Sequence, residues 1–86
     1  MANPVFVDIT PKETWVKVAD NVTTGQVWVI SGNVEYLQTY RDAGDPAPTL
    51  RSDGVDLEEV AWISATAGID VYVMALGDVG RVRVDL

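Results

Sequence analysis

The feature that most constrains this chain is a succession of short β-rich runs separated by turn residues. No stretch of any length repeats with the 3.6-residue period of a helix. The runs that predict strands are residues 5–9, 14–18, 26–30, 34–41, 55–57, 60–64, 69–76 and 80–86. Short strands at intervals of roughly 8–12 residues are typical of antiparallel sandwiches and small barrels. We therefore expect an all-β, jelly-roll-like sandwich or barrel of seven to eight strands.

The residues between these runs predict where the chain turns. DNVTTG at residues 20–25 reads as a polar turn, and SGN at residues 31–33 fits a tight hairpin turn that would pair run 26–30 with run 34–41. The sequences ATAG and GDVG separate the last three runs. A single helical turn is conceivable only over residues 56–61. Because the sequence contains no stretch typical of a linker, residues 1–86 are predicted to form one domain.

Composition excludes several classes of function. The formal net charge of −7 repels phosphate backbones, so nucleic acid is not an expected partner. The chain has no cysteine and no histidine, which removes disulfides, thiolate and imidazole metal ligands, cysteine nucleophiles and the usual general base. Neither enzymatic activity nor a cofactor is expected.

Two absences bear on where the chain is expected to be found. The opening MANPVFVDITPKE lacks the basic and apolar regions of a signal peptide. No apolar run approaches the roughly 18–20 residues that span a bilayer. We expect a soluble product of the cytoplasm with no membrane partner.

The stretch from residue 41 to residue 59 contains six of the thirteen acidic residues. Calcium sites usually space their acids two apart around a glycine turn, whereas Asp42 and Asp45 are three apart and Asp53 is eight further on. Two prolines stiffen the middle of the stretch, and Asp53–Gly54 predicts a turn. A long exposed connection is favoured over a metal site. Contact with a neighbouring subunit through Asp42 and Asp45 is its best functional interpretation.

The aromatic side chains suggest an interface. By strand parity Trp15 shares a face with Lys17, and Tyr36 and Tyr40 share a face opposite Leu37. Tyrosine and tryptophan on the wetter face of a strand often mark a binding surface, because they bury a large area and keep a polar group. The alternative, that a second sheet covers them, stays open. Trp28 and Trp62 lie in apolar runs and are predicted to be core.

The last run alternates Arg81 and Arg83 with valines. One interpretation is an edge strand kept soluble by charge. The other is a strand whose guanidinium groups meet acids of a neighbouring subunit, for which arginine is better suited than lysine. The edge strand is the favoured interpretation.

Three stretches together resemble a known class of protein. They are VDIT with TWVKVADNVTTG, then VWVISGNVEYLQTYRDAGDPAPT, and IDVYVMALGDVGRVRVDL at the end. Their order and spacing are similar to those of small all-β virion proteins of tailed bacteriophages and prophages.

The resemblance implies a non-enzymatic part of the particle: a head decoration protein, a fibre module or a tail component. Such proteins are often trimeric or form larger rings, so a homo-oligomer docked on other virion proteins is expected, made in the cytoplasm of the host bacterium and located in the virion. No catalytic residues are carried over. The residues expected at interfaces are Trp15, Tyr36, Tyr40, Asp42, Asp45, Arg81 and Arg83. A carbohydrate-binding module that uses exposed Trp or Tyr is the alternative function, and a small calcium site within residues 42–56 is a weaker one.

Overall fold

The computed structural model describes residues 4–49 and 54–86. Every helix or strand assigned in these residues is a β-strand, which confirms the all-β prediction. The strands are β1 (Val5–Asp8), β2 (Val16–Tyr40), β3 (Val55–Leu57) and β4 (Val60–Asp85). The helical turn considered over residues 56–61 is wrong, because β3 and β4 are separated there only by a two-residue bend at positions 58–59. Of the predicted Asp53–Gly54 turn, Asp53 lies outside the described residues.

The four strands form one open antiparallel sheet in the order β1-β4-β2-β3. Strand β1 pairs with residues 81–84 of β4, and β3 pairs with residues 34–36 of β2. The sequence predicted about twice as many separate strands. The difference arises because β2 and β4 each run through several of the predicted turns.

Both long strands are strongly bent. Strand β2 has 25 residues and β4 has 26, and a straight strand of that length would extend about 80 Å at about 3.3 Å per residue. The longest dimension of the molecule is only 34 Å. Each strand must therefore fold back within the sheet.

The pairing between β2 and β4 shows how they fold back. Residues 26–28 of β2 pair with residues 60–62 of β4 on one side and with residues 83–85 on the other. Residues 71–73 of β4 likewise pair with two parts of β2, residues 16–19 and residues 36–38. The predicted hairpin between runs 26–30 and 34–41 is wrong, since both runs pair with β4 instead.

The predicted turn residues are sites of bending rather than strand ends. The β2–β4 register shifts between Ala19 and Val22 and again between Gly32 and Val34. Asn21 and Gly32 lie in these irregular places with φ of 53° and 82°, a region that asparagine and glycine enter more readily than other residues. Irregularities of this kind bend a strand without ending its ladder, so the strand continues through both predicted turns.

One hydrophobic cluster contains side chains from β2, β3, β4 and the residue that follows β1. Val71 and Val73 lie at its centre and are fully buried. Its members are Ile9, Ala19, Val27, Val34, Leu57, Ala61, Ile63, Ile69, Val71, Val73, Ala75, Val82 and Val84. In the segments 61–63, 69–75 and 82–84 these positions alternate along the strand, as expected where one face of a sheet is buried.

Candidate functional surfaces

The first candidate is a group of large side chains on the strand face that points away from the core. Strand register places Phe6 opposite Arg83, and Arg83 opposite Trp28. Trp62 pairs with Gln26, two residues before Trp28 on the same strand face. We call this surface the aromatic face; it consists of Phe6, Trp28, Ile30, Trp62, Arg81 and Arg83.

Much of the aromatic face is open to solvent. Trp62 is 64 % exposed, Phe6 51 % and Ile30 46 %, while Trp28 is half-buried. The prediction that Trp62 belongs to the core is therefore wrong, and that for Trp28 fails in part. Both Ala61 and Ile63 are buried, so the strand alternation turns Trp62 outward.

Arginines cover two of the rings on this face. The Arg81 guanidinium lies 5.2 Å from the centroid of Phe6, and that of Arg83 lies 5.3 Å from the centroid of Trp28, both within cation–π range. The indole Nε1 of Trp28 donates a 2.7 Å hydrogen bond to Gln26 Oε1. The rings of Phe6 and Trp28 are thus held in place by neighbours on the same face.

The charges of the aromatic face cancel. Arg81 lies 3.7 Å from Asp8, and Arg83 lies 3.0 Å from Asp85. The edge-strand interpretation of the two arginines is wrong, because residues 81–84 lie between β1 and β2 and pair with both. The arginines help to form a neutral surface on a chain whose net charge is −7.

A second candidate is an ionic network around Asp70. Asp70 is 8 % exposed, and its Oδ1 accepts hydrogen bonds from the Asn21 backbone N–H at 2.8 Å and from Arg41 Nε and Nη2 at 3.1 and 3.0 Å. Arg41 also bonds Asp20 at 2.7 Å, and Lys17 Nζ lies 3.2 Å from Asp20 and 3.8 Å from Asp70. We call these four charged residues, with Asn21, the Asp70 network.

The network changes the acidity of its members in the direction its geometry requires. Burial by itself raises the pKa of Asp70, but the Asn21 N–H, Arg41 and Lys17 outweigh it and hold the pKa below its ordinary value. The pKa of Arg41 is raised, chiefly by its hydrogen bond to Asp70, and that of Lys17 chiefly by its hydrogen bond to Asp20. At neutral pH Asp70, Arg41 and Lys17 therefore stay charged.

Gly68 lies where the network meets the start of the acidic stretch, and its lack of a side chain leaves room for that of Asn21. A Cβ on Gly68 would lie 1.8 Å from the Asn21 side-chain oxygen, and the Gly68 carbonyl accepts a hydrogen bond from the Arg41 N–H at 3.2 Å. The network thus joins the segments around residues 20, 41 and 70. It fixes the point from which the acidic stretch leaves the sheet.

A third candidate is a cleft beside this point. It has a volume of about 610 Å³ and lies between the segment around Tyr40 and Asp42 and residues 64–68 of β4. Tyr40 is 48 % exposed, and the opposite wall consists of small residues, among them Ser64 and Thr66. We call it the loop cleft.

The residues that the sequence proposed for an interface fall into three separate places. Arg81 and Arg83 lie on the aromatic face, and Tyr40 and Asp42 line the loop cleft. Exposed Asp45 lies beside the cleft, where its Oδ2 accepts a hydrogen bond from the Tyr40 N–H at 3.0 Å.

Trp15 and Tyr36 lie in neither of these two surfaces. Half-buried Trp15 covers Gly54, where a Cβ would lie 2.5 Å from the indole ring. Tyr36 pairs with Val55 and packs against the core. The aromatic residues predicted to share an interface are therefore spread over the molecule.

Two observations concern other kinds of site. Across residues 4–49 and 54–86, no three acidic side chains are grouped so that they could hold a metal ion. In the same part of the chain, no helix is long and apolar enough to cross a membrane.

Comparison with protein-family models, with curated protein sequences and with solved structures finds no match for this chain.

Proposed function

We propose that the two bent strands build a jelly-roll-like sandwich of eight segments in two layers. One layer would contain residues 5–8, 81–85, 26–31 and 60–64, and the other residues 16–22, 69–75, 34–40 and 55–57, in these orders. The double pairing of residues 26–28 and 71–73 supports this arrangement. The shortest dimension, 17 Å, suits two sheets packed about 10 Å apart.

We further propose that this sandwich is a non-enzymatic structural protein of a tailed-bacteriophage particle, a head decoration or tail component that associates with copies of itself and docks on other virion proteins. The observation that supports a binding role is the aromatic face. Exposed tryptophan, with arginine beside it, is the combination enriched at the centres of protein interfaces.

Charge favours a second copy of the chain as the partner of this face. Two molecules that each carry a net charge of −7 repel one another over most approaches. On the aromatic face Arg81 and Arg83 are balanced by Asp8 and Asp85. Two copies can therefore meet there without bringing like charges together.

Sedimentation velocity on the purified chain tests the proposal. Protein concentrations of about 1–100 μM would detect self-association with a Kd in the same range. We expect a species heavier than the 9.3 kDa monomer. Trp62→Thr keeps a β-branched residue in the strand and removes the exposed ring, and it should weaken association at least about 30-fold if Trp62 is an interface hot spot.

Val55→Thr is the matched control, since Val55 is also an exposed apolar strand residue, 59 % accessible, but lies on β3, which pairs with residues 34–36 of β2 and contains no residue of the aromatic face. It should leave association unchanged. A strict monomer that also fails to bind capsid or tail proteins would overturn the proposal. If both variants weakened association equally, the interface would have to lie outside the aromatic face.

A further inference from the structure

The loop cleft combines the groups that recognise a sugar. Tyr40 presents a half-exposed ring at one wall, and aromatic rings are the usual platform for the apolar face of a pyranose. Asp42 adds a carboxylate that can accept hydrogen bonds from two hydroxyls, and Ser64 and Thr66 add hydroxyl groups that both donate and accept. The volume of about 610 Å³ is within the range of small-ligand sites.

These polar groups are not used elsewhere in the described chain. Within residues 4–49 and 54–86, the Asp42 carboxylate and the hydroxyls of Ser64 and Thr66 make no side-chain hydrogen bond or ion pair. The other lining residues are Ala43, Ala65, Ala67 and Gly68, whose small size lets a ring approach the backbone closely.

The two walls of the cleft are tied to one another. The Arg41 N–H donates to the Gly68 carbonyl at 3.2 Å, and the Gly44 N–H donates to the Arg41 carbonyl at 3.0 Å. The Arg41 side chain is in turn held by Asp70. A cleft whose walls are fixed before binding loses less entropy when a ligand enters.

Charge selects the kind of sugar. Among the described residues no lysine or arginine lines the cleft, and the nearby Arg41 guanidinium is occupied by Asp70 and Asp20. With Asp42 in the lining and a net charge of −7 on the chain, an anionic ligand would be repelled. A single carboxylate is also too few ligands for calcium.

From these contacts we propose that the loop cleft binds a neutral saccharide, stacked on Tyr40 and hydrogen-bonded by Asp42, Ser64 and Thr66. This activity goes beyond self-association and uses residues that are not part of the aromatic face. A virion component with such a site would attach to surface glycans.

The test is an NMR titration of the intact chain, which follows backbone amide shifts, with maltose, cellobiose, lactose and chitobiose at up to about 10 mM, a range suited to millimolar Kd values. N-acetylneuraminic acid and inorganic phosphate serve as anionic probes. We expect at least one neutral disaccharide to shift amides of residues 40–44 and 64–68, and the anions to shift none of them.

Two variants examine the roles of the side chains. Tyr40→Leu removes the ring but keeps an apolar side chain, and it should weaken binding about three- to tenfold; Asp42→Asn should weaken it without loss of folding, because Asp42 is exposed. The controls Phe6→Leu and Asp78→Asn alter an exposed ring and an exposed carboxylate elsewhere and should leave binding unchanged.

Three results would overturn the proposal: no shift with any neutral disaccharide, equal shifts with the anions, or shifts centred on Trp28 and Trp62 instead. The Trp62→Thr variant separates this site from the interface proposed above. It should bind the disaccharide as the unmodified chain does, whether or not the chain associates.

Discussion

The Asp70 carboxylate is held by contacts from three other residues, Asn21, Arg41 and Lys17. This carboxylate is nearly buried at the outer face of the sheet, and burial of an ionised group is costly unless hydrogen bonds and opposite charges compensate. Asn21, Arg41 and Lys17 supply both. The alternation of hydrophobic residues in IDVYV indicates that Asp70 faces away from Val71, but its partners are 29 to 53 residues away in sequence and could not be predicted.

Asp70→Asn should lower the free energy of unfolding by about 1–3 kcal/mol, because the amide pairs poorly with Arg41 and leaves it without its nearest charge. The lower half of that range is favoured, since the Arg41 side chain is 45 % exposed and solvent screens the pair. Chemical denaturation at neutral pH measures the loss. Asp78→Asn is the control: its carboxylate is 90 % exposed and has one long contact to Lys12, so it should change stability by less than about 0.5 kcal/mol.

The effect of Asp70 depends on pH in a known direction. Because its folded pKa lies below the ordinary value of 3.8, its stabilisation is complete above that pH and is lost as pH falls through the folded pKa. The stability difference between the unmodified chain and Asp70→Asn should therefore narrow below about pH 4. A difference that stays constant from pH 7 to about pH 2 would contradict this assignment.

At the scale of whole elements, the sequence predicted the strand runs well and their connections poorly. Runs 5–9, 34–41, 55–57 and 60–64 lie almost wholly inside observed strands. Glycine, asparagine and threonine mark turns, so residues 20–25 and 31–33 predict strand ends. The ladder continues through them because β4 bends alongside β2, and that relation depends on residues about 50 positions apart.

The same contrast holds for the candidate sites. The alternation of Arg81 and Arg83 with valines predicts that both arginines lie on a surface, and they lie on the aromatic face. Trp62 lies in an apolar run, which predicts burial on both faces of the strand instead. The sequence does contain an indication that Trp62 is exposed. In a strand, Trp62 shares a face with the polar Ser64, and the apolar Ala61 and Ile63 lie on the other face. Tyr40 and Asp42 meet residues 64–68 only because the sheet brings distant segments together.

Gly32 lies where the backbones of β2 and β4 approach closely. A Cβ there would lie 1.9 Å from the Val79 carbonyl oxygen, and φ is 82°. Gly32→Ala should therefore be strongly destabilising, by about 2–4 kcal/mol from the clash and the backbone strain together. Thermal unfolding of the variant measures this loss.

Gly44 offers a matched comparison because it has a similar φ of 69°, but a Cβ at this position would have nothing within 4 Å. Gly44→Ala should cost only the strain of the left-handed conformation, about 1–2 kcal/mol. Equal losses of stability in the two variants would contradict the close approach of β2 and β4 at Gly32, because the clash would then add nothing to the backbone strain.

For the whole molecule, the proposed self-association depends on the balance between the charge of the body and the neutrality of the aromatic face. The chain exposes 5145 Å², and a standard interface would cover about 800 Å² of it on each copy. A chain of this mass is expected to expose about 5000 Å² as a compact monomer. Association is thus not needed to complete the core.

Salt should strengthen self-association. Raising ionic strength from about 0.01 M to 0.15 M shortens the Debye length from about 30 Å to 8 Å, which screens the repulsion between bodies of charge −7 and barely affects contact between neutral aromatic faces. Sedimentation velocity at the two salt concentrations measures the change in self-association. The Trp62→Thr variant should show little increase in association at the higher salt concentration. Weaker association at high salt would instead favour the alternative in which Arg81 and Arg83 pair with acids of a neighbouring subunit.

The position of residues 81–84 between β1 and β2 has a consequence for how the chain folds. Val82 and Val84 are almost fully buried, and their segment joins residues 5–8 to residues 26–31. Until this segment has left the ribosome, residues 5–8 cannot pair with β4, and residues 26–28 can pair only with residues 60–62. Contacts across such sequence distances are slow to form. Residues 5–8 and 26–31 therefore cannot complete their pairing before residues 81–84 have been made, and their apolar side chains stay exposed to chaperones and to other chains until then.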